Sequence, residues 1–247
     1  TERQSMKVTD RWYSDRLGQD LSVARWGTYG SPVLLFPTAG GDAEEVERHQ
    51  MIAHLEPLIA AGRAKVYSVD SVAGRALAER RGSAEHRLAL FNAFHEAIAR
   101  EVIPAIHSDL GGHHLPVTVA GASIGAFNAL AITCRYPELV ESAVCMSGTY
   151  AIEQFIGGHV NDDLYYSSPL RFLPGLEGPS LDVLRRRMIV LASGSGRWED
   201  VGESWAVADV LGSKGIPNRV DDWGTAYDHD WPTWWQMLPV YLDDLLP

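Results

Sequence analysis

Cysteine is nearly absent from this chain: Cys134 and Cys145 are the only two in 247 residues. Two cysteines supply neither a disulfide framework nor a thiolate metal cluster, and both sit in apolar stretches that read as buried, reduced thiols. Basic charge is scarce too. Lys and Arg number 21 against 32 Asp and Glu, a formal net charge of −11, so the surface repels polyanions and excludes nucleic acid and anionic membrane as partners. No apolar run approaches the roughly 20 residues that span a bilayer, and the opening "TERQSMKVTDRW" lacks the apolar core of a signal peptide. The reading is therefore a cytoplasmic protein. H-E-x-x-H and other metal-ligand spacings are missing, so neither metal nor cofactor is expected. Repeats, low-complexity tracts and linkers are missing as well, which leaves one domain over residues 1–247.

What the chain does have is an alternation of strand and helix patterns, the signature of an α/β sheet. "DLSVARWG" alternates like a half-exposed strand. "PVLLFPTA" is a continuous apolar run suited to a strand covered on both faces. Asp42 and Glu45 stand at capping-box spacing ahead of a helix that should run to Gly62. "KVYSVD" is strand four, "SAEHRLALFNAFHEAIAREVIPAIHSDLG" a long helix, and "PVTVAGA" strand five. A helix in "IGAFNALAITCRYPEL" that ends before Pro137 follows, then strands "ESAVCMSG" and "MIVLASG" separated by residues 149–185, an excursion too long and aromatic for a plain connection. "ESWAVADVLGSKG" is a helix, "IPNRVDDWG" the last strand, and the closing helix aligns Trp234, Leu238, Tyr241 and Leu245 on one face.

One junction in this pattern carries chemistry. Gly121-Ala122-Ser123-Ile124-Gly125 is G-x-S-x-G between a strand and a helix, the context in which a turn lifts a serine hydroxyl above the sheet edge. Serine needs a base to take its proton, and the loop after the last strand offers His229 in "YDHDW". A carboxylate should orient that imidazole from the loop after strand seven, where Glu199 and Asp200 are adjacent; Glu199 is preferred because Trp198 beside it could keep water away, and Asp200 is the alternative. Two backbone N–H groups should hold the oxyanion, those of Ile124 and Ala39, with Gly40 as the substitute for Ala39. Asp70 at the end of strand four, Trp198, and Tyr150 in the excursion are candidate substrate contacts. Trp205, Trp234 and Trp235 read as core residues of amphipathic helices.

The "GASIGA" turn and the "DHDWPTW" ending, in which His229, Asp230 and Trp234 form a His-Asp-x-x-x-Trp pattern, resemble the alpha/beta hydrolases. Within them the likeness is to the esterase branch that takes in S-formylglutathione hydrolases, feruloyl esterases and mycolyltransferases. The resemblance implies a mostly parallel central sheet with helices on both faces, a small cap formed by 149–185, and acyl-serine chemistry without a cofactor. Pro37-Thr38 stands where members of the branch commonly have His-Gly, a departure that bears on the choice of Ala39. The expected activity is hydrolysis of a small-molecule carboxylic ester through an acyl-enzyme on Ser123. Acyl transfer to another hydroxyl is the alternative, and a non-catalytic binding protein on the same fold is the more distant one. Association into a homo-oligomer is compatible with the composition.

Overall fold

The computed structural model describes residues 6–247. Strand β1 (Val8–Ser14) pairs antiparallel with β2 (Gln19–Trp26), and β3 (Ser31–Phe36) leads through α1 (Glu45–Arg48) and α2 (Met51–Ala60) to β4 (Ala64–Val69). Next come α3 (Val72–Ala78), α4 (Ala84–Ala97), a π-helical turn at Ile98–Val102 and α5 (Ile103–Asp109). The central crossover is β5 (Val117–Ala122), α6 (Ile124–Arg135) and β6 (Val140–Met146). Short helices α7 (Asp162–Ser167), α8 (Pro169–Phe172) and α9 (Pro179–Leu184) occupy the excursion. The chain ends with β7 (Met188–Ser193), α10 (Val201–Ser213), β8 (Asn218–Asp222) and α11 (Trp231–Leu245).

The sheet order is β1-β2-β4-β3-β5-β6-β7-β8, parallel from β4 to β8, with β2 antiparallel to both of its neighbours. Every residue of β4 and β5 is buried, as their unbroken apolar runs require of strands covered on both faces. One face packs against α3 to α6 and α10, and the other against α2 and α11. The closing helix buries Trp234, Leu238 and Tyr241 as its periodicity dictates, with Leu245 packed alongside. Within 149–185, Ile152, Ile156, Leu164 and Leu173 belong to the same hydrophobic cluster as Phe91 and Phe127 of α4 and α6. The excursion thus extends the helical layer on that face.

Three helical expectations differ from what is found. The helix after β3 breaks at Gln50, which takes a left-handed φ of 68° between α1 and α2. The long helix before β5 is interrupted by its π-helical turn just ahead of Pro104, whose ring cannot tolerate the carbonyl four residues earlier in a regular turn. The stretch after strand four, given no element by its sequence, forms α3.

Behind α6 lies a buried polar pair. His95 is fully buried, its Nε2 is 3.0 Å from Asn128 Oδ1, and its Nδ1 is 3.1 Å from an Arg135 guanidinium nitrogen. Burial, with the Arg135 charge adding to it, pushes the imidazole down to about 3, so the folded protein keeps His95 neutral where the unfolded chain would protonate it. With the folded pKa below the unfolded one, the unfolded state binds more protons between about pH 6.5 and 3, so folding stability falls as pH drops through that window. His95→Gln is expected to flatten the decline in unfolding free energy across that range, by up to about 1.4 kcal/mol per pH unit, in denaturant titrations at successive pH values.

Candidate active site

The carboxyl ends of β5, β6, β7 and β8 bring the candidate residues to one edge of the sheet. Ser123 follows β5 directly and has φ 59° and ψ −122°, a strained conformation for a residue with a side chain. Its amide donates to the Met146 carbonyl (3.0 Å), and its carbonyl accepts from Ala126 as α6 begins. The two motif glycines make this turn sterically feasible. A Cβ on Gly121 would overlap the Gly125 carbonyl, and one on Gly125 would overlap the Phe36 carbonyl at the end of β3. Strand, turn and helix therefore approach more closely than any other residue permits.

Glu199, whose side chain is 1% exposed, lies with Oε2 3.7 Å from Nδ1 of His229. That separation is an ion-pair distance, longer than a hydrogen bond, and it leaves Nε2 as the ring nitrogen available to Ser123. Among the described residues no hydrogen bond joins the Ser123 and His229 side chains, which is common in unliganded sites, where such bonds tighten on substrate binding. Two hydroxyls hold the carboxylate: Ser147 donates to Oε1 (2.6 Å), and Ser193 lies 3.0 Å from Oε2. Ser147 in turn accepts from the Trp234 indole N–H (2.9 Å), and the Trp234 ring meets the His229 ring edge to face at 5.3 Å. One tryptophan thus braces both Ser147 and the imidazole. Ser147 and Ser193 escaped the sequence reading; the only signal was their place at the carboxyl ends of β6 and β7.

The loops carrying Glu199 and His229 are fastened together. Gly196 N donates to Tyr227 O (3.0 Å), His229 N to Arg197 O (2.9 Å), and Arg197 N and Nε both donate to Asp228. A Cβ on Gly194 would overlap the Tyr227 carbonyl, so this junction also depends on a missing side chain. Asp200 points elsewhere: it is the N-cap of α10, accepting from Gly202 N at 2.9 Å.

On the β3 side, Thr38 gives both its amide (2.8 Å) and its hydroxyl (2.5 Å) to the buried Glu45 carboxylate. The capping-box expectation is corrected for both residues: the Glu45 side chain turns back to fix the loop that precedes α1, and Asp42 lies two residues ahead of the N-cap Glu44, where its carboxylate accepts from Glu44 N (2.9 Å) within the preceding turn. With Thr38 and Gly41 engaged, the amides of Ala39, Gly40 and Ile124 have no acceptor among the described residues.

The three suggested substrate contacts fare differently. Asp70 is buried and spends its two oxygens on the amides of Ser22 (2.9 Å) and Ala43 (3.0 Å), which ties β2 to the loop before α1 and corrects the substrate reading. Tyr150 is 0% exposed within the core, so it faces no substrate. Trp198 is 87% exposed with φ 64°, hence the water around Glu199 is excluded by Ser147, Ser193 and Trp234 and not by its neighbour. Trp205 is likewise exposed, contrary to its core assignment, and Trp235 is partly buried, stacked on His54 at 4.8 Å. Among the described residues no group of three or more His, Cys, Asp or Glu is placed to hold a metal ion, and no helix is long and apolar enough to cross a membrane.

This fold and edge geometry define an α/β hydrolase, and comparison with known proteins agrees. The family described as "Putative esterase" matches residues 58–208, and the chain belongs to it: the protein is an esterase. A solved ferulic acid esterase superposes with a TM-score of 0.74 at 18% identity, covering 98% of each chain. An S-formylglutathione hydrolase from Staphylococcus aureus gives 0.65 at 14%, covering 99% of this chain and 98% of that one, and Mycobacterium tuberculosis MPT51 gives 0.68 at 16%, covering 96% and 97%. No curated protein matches the chain at the sequence level.

Two substitutions test the division of labour between the adjacent carboxylates and their exposed neighbour. Asp200→Asn keeps a capping oxygen and is expected to change unfolding free energy by no more than about 0.5 kcal/mol, with ester turnover retained. Trp198→Gly, at an exposed left-handed position, is expected to leave thermal stability unchanged or slightly raised.

Proposed function

We propose that the protein hydrolyses carboxylic esters through an acyl-enzyme on Ser123, with His229 as base and Glu199 as the acid that orients it. The observation that carries this reading is the buried Glu199 carboxylate facing His229 Nδ1 at the sheet edge where Ser123 is held in its strained turn. His229 Nε2 takes the hydroxyl proton as Oγ bonds to the ester carbonyl carbon, and the carbonyl π electrons move to its oxygen. The amides of Ile124 and Ala39, with Gly40 adjacent, stabilise that oxyanion, and a loop already fixed by Glu45 spares them reorganisation during the reaction. Collapse breaks the bond to the alkoxide, which leaves with the proton from His229. Water then repeats the sequence, releasing the acid and restoring Ser123. The Glu199 charge stabilises the imidazolium formed in both halves.

The reading predicts that a fluorophosphonate probe labels Ser123, and that Ser123→Ala abolishes labelling and lowers kcat for p-nitrophenyl acetate by several powers of ten while the protein stays folded. Near-wild-type turnover in that variant refutes it. Glu199→Gln is expected to lower kcat sharply without unfolding the chain, because it keeps hydrogen-bonding atoms but removes the charge. Transfer to an added alcohol in preference to water would reassign the enzyme as an acyltransferase with the same machinery.

A further inference from the structure

Beside the Ser123 turn lies a small, partly open apolar cavity of about 20 Å3. Its walls come from segments that flank the proposed machinery: Phe36 and Thr38 just ahead of the Ala39 amide, Ala122 immediately before Ser123, Met146, whose carbonyl accepts the Ser123 amide, and Trp231, two residues after His229. Met51 of α2 and Leu238 of α11 close its far side, both almost fully buried. Trp231 is itself held in place, stacked on the His49 ring at 4.7 Å with the planes 3° apart.

We infer that this cavity receives the acyl side of the ester and restricts it to one or two carbons, so that the enzyme acts on formyl- and acetyl-type esters. The inference rests on the acyl-serine reading above. Only the acyl half stays covalently attached to Ser123 between the two steps, so it needs a place against the turn; the alcohol must depart past His229, whose ring is partly exposed. A single water needs roughly 10–15 Å3 measured in this way, so the space admits about one methyl group beyond the carbonyl. Longer chains would have to displace Met51 or Leu238, which are packed between the sheet and the helices of that face. The walls carry no charged group, which disfavours acyl groups bearing a second carboxylate.

The test is kcat/KM for p-nitrophenyl acetate, butyrate and octanoate, with fluorophosphonate labelling of Ser123 run in parallel. The wild type is expected to favour acetate over octanoate by about a hundredfold or more, since each methylene that a tight pocket rejects lowers the rate about tenfold or more. Met51→Ala should narrow the acetate-to-octanoate gap at least about tenfold, and Leu238→Val provides a milder opening should the first variant fold poorly. Equal use of octanoate and acetate by a wild-type enzyme whose Ser123 is labelled overturns the acyl limit and leaves the chemistry standing. So does a preference that neither variant shifts. An unlabelled Ser123 with no turnover of any of the three esters overturns the acyl-serine reading itself.

Discussion

The close approach of β5, α6 and the end of β3 is the constraint on which the rest of the site depends. It exists because Gly121 and Gly125 leave room where a methyl group would collide with main-chain carbonyls. The consequence is local and geometric: the backbone must reverse within a residue or two, and Ser123 absorbs that reversal in a conformation costing roughly 1–3 kcal/mol. Such strain persists only where the surroundings over-determine it, and here a strand buried along its whole length and a helix with eleven of twelve residues buried hold it from both sides. The position of Ser123 thus follows from packing.

Around that fixed point, the protein repeatedly uses one electrostatic device. Glu199, Glu45 and Asp70 are buried carboxylates near the same sheet edge, and each is satisfied by hydroxyl or amide donors instead of a Lys or Arg. Neutral donors stabilise a buried carboxylate without cancelling its charge, so Glu199 retains its field at the imidazole. A neighbouring arginine would have pinned the carboxylate just as firmly but would have opposed a positive charge on His229. Arginine does occur in the loop, as Arg197, but it is turned outward onto Asp228.

Much of this was legible in the sequence because the relevant signals are local. The β5–Ser123–α6 junction announces itself in five residues, the parallel strands in apolar runs, and α11 in its period. The carboxylate that faces His229 was harder to read, since what separates Glu199 from Asp200 is the position of Ser147 and Ser193, 52 and 6 residues from Glu199 along the chain. Trp198 misled for a related reason: adjacency in sequence says nothing about which side of a loop faces the core. Asp70 and Tyr150 carry the residue types of a binding site, yet both are consumed by long-range structure, in ties to Ser22 and Ala43 and in burial against the helical layer. The break at Gln50 had no composition cue, because a non-glycine left-handed residue is imposed by the packing of the helices it joins.

The burial of Cys134 and Cys145 has a practical consequence. Desolvation raises both thiols, Cys145 to about 12 and Cys134 higher still, so neither supplies a thiolate near neutrality and neither is open to solvent. Maleimide and iodoacetamide therefore find no native target on the folded molecule. A single cysteine introduced at an exposed position, such as that of Trp205, would be the sole handle for a fluorophore or a surface tether, with both native thiols left in place.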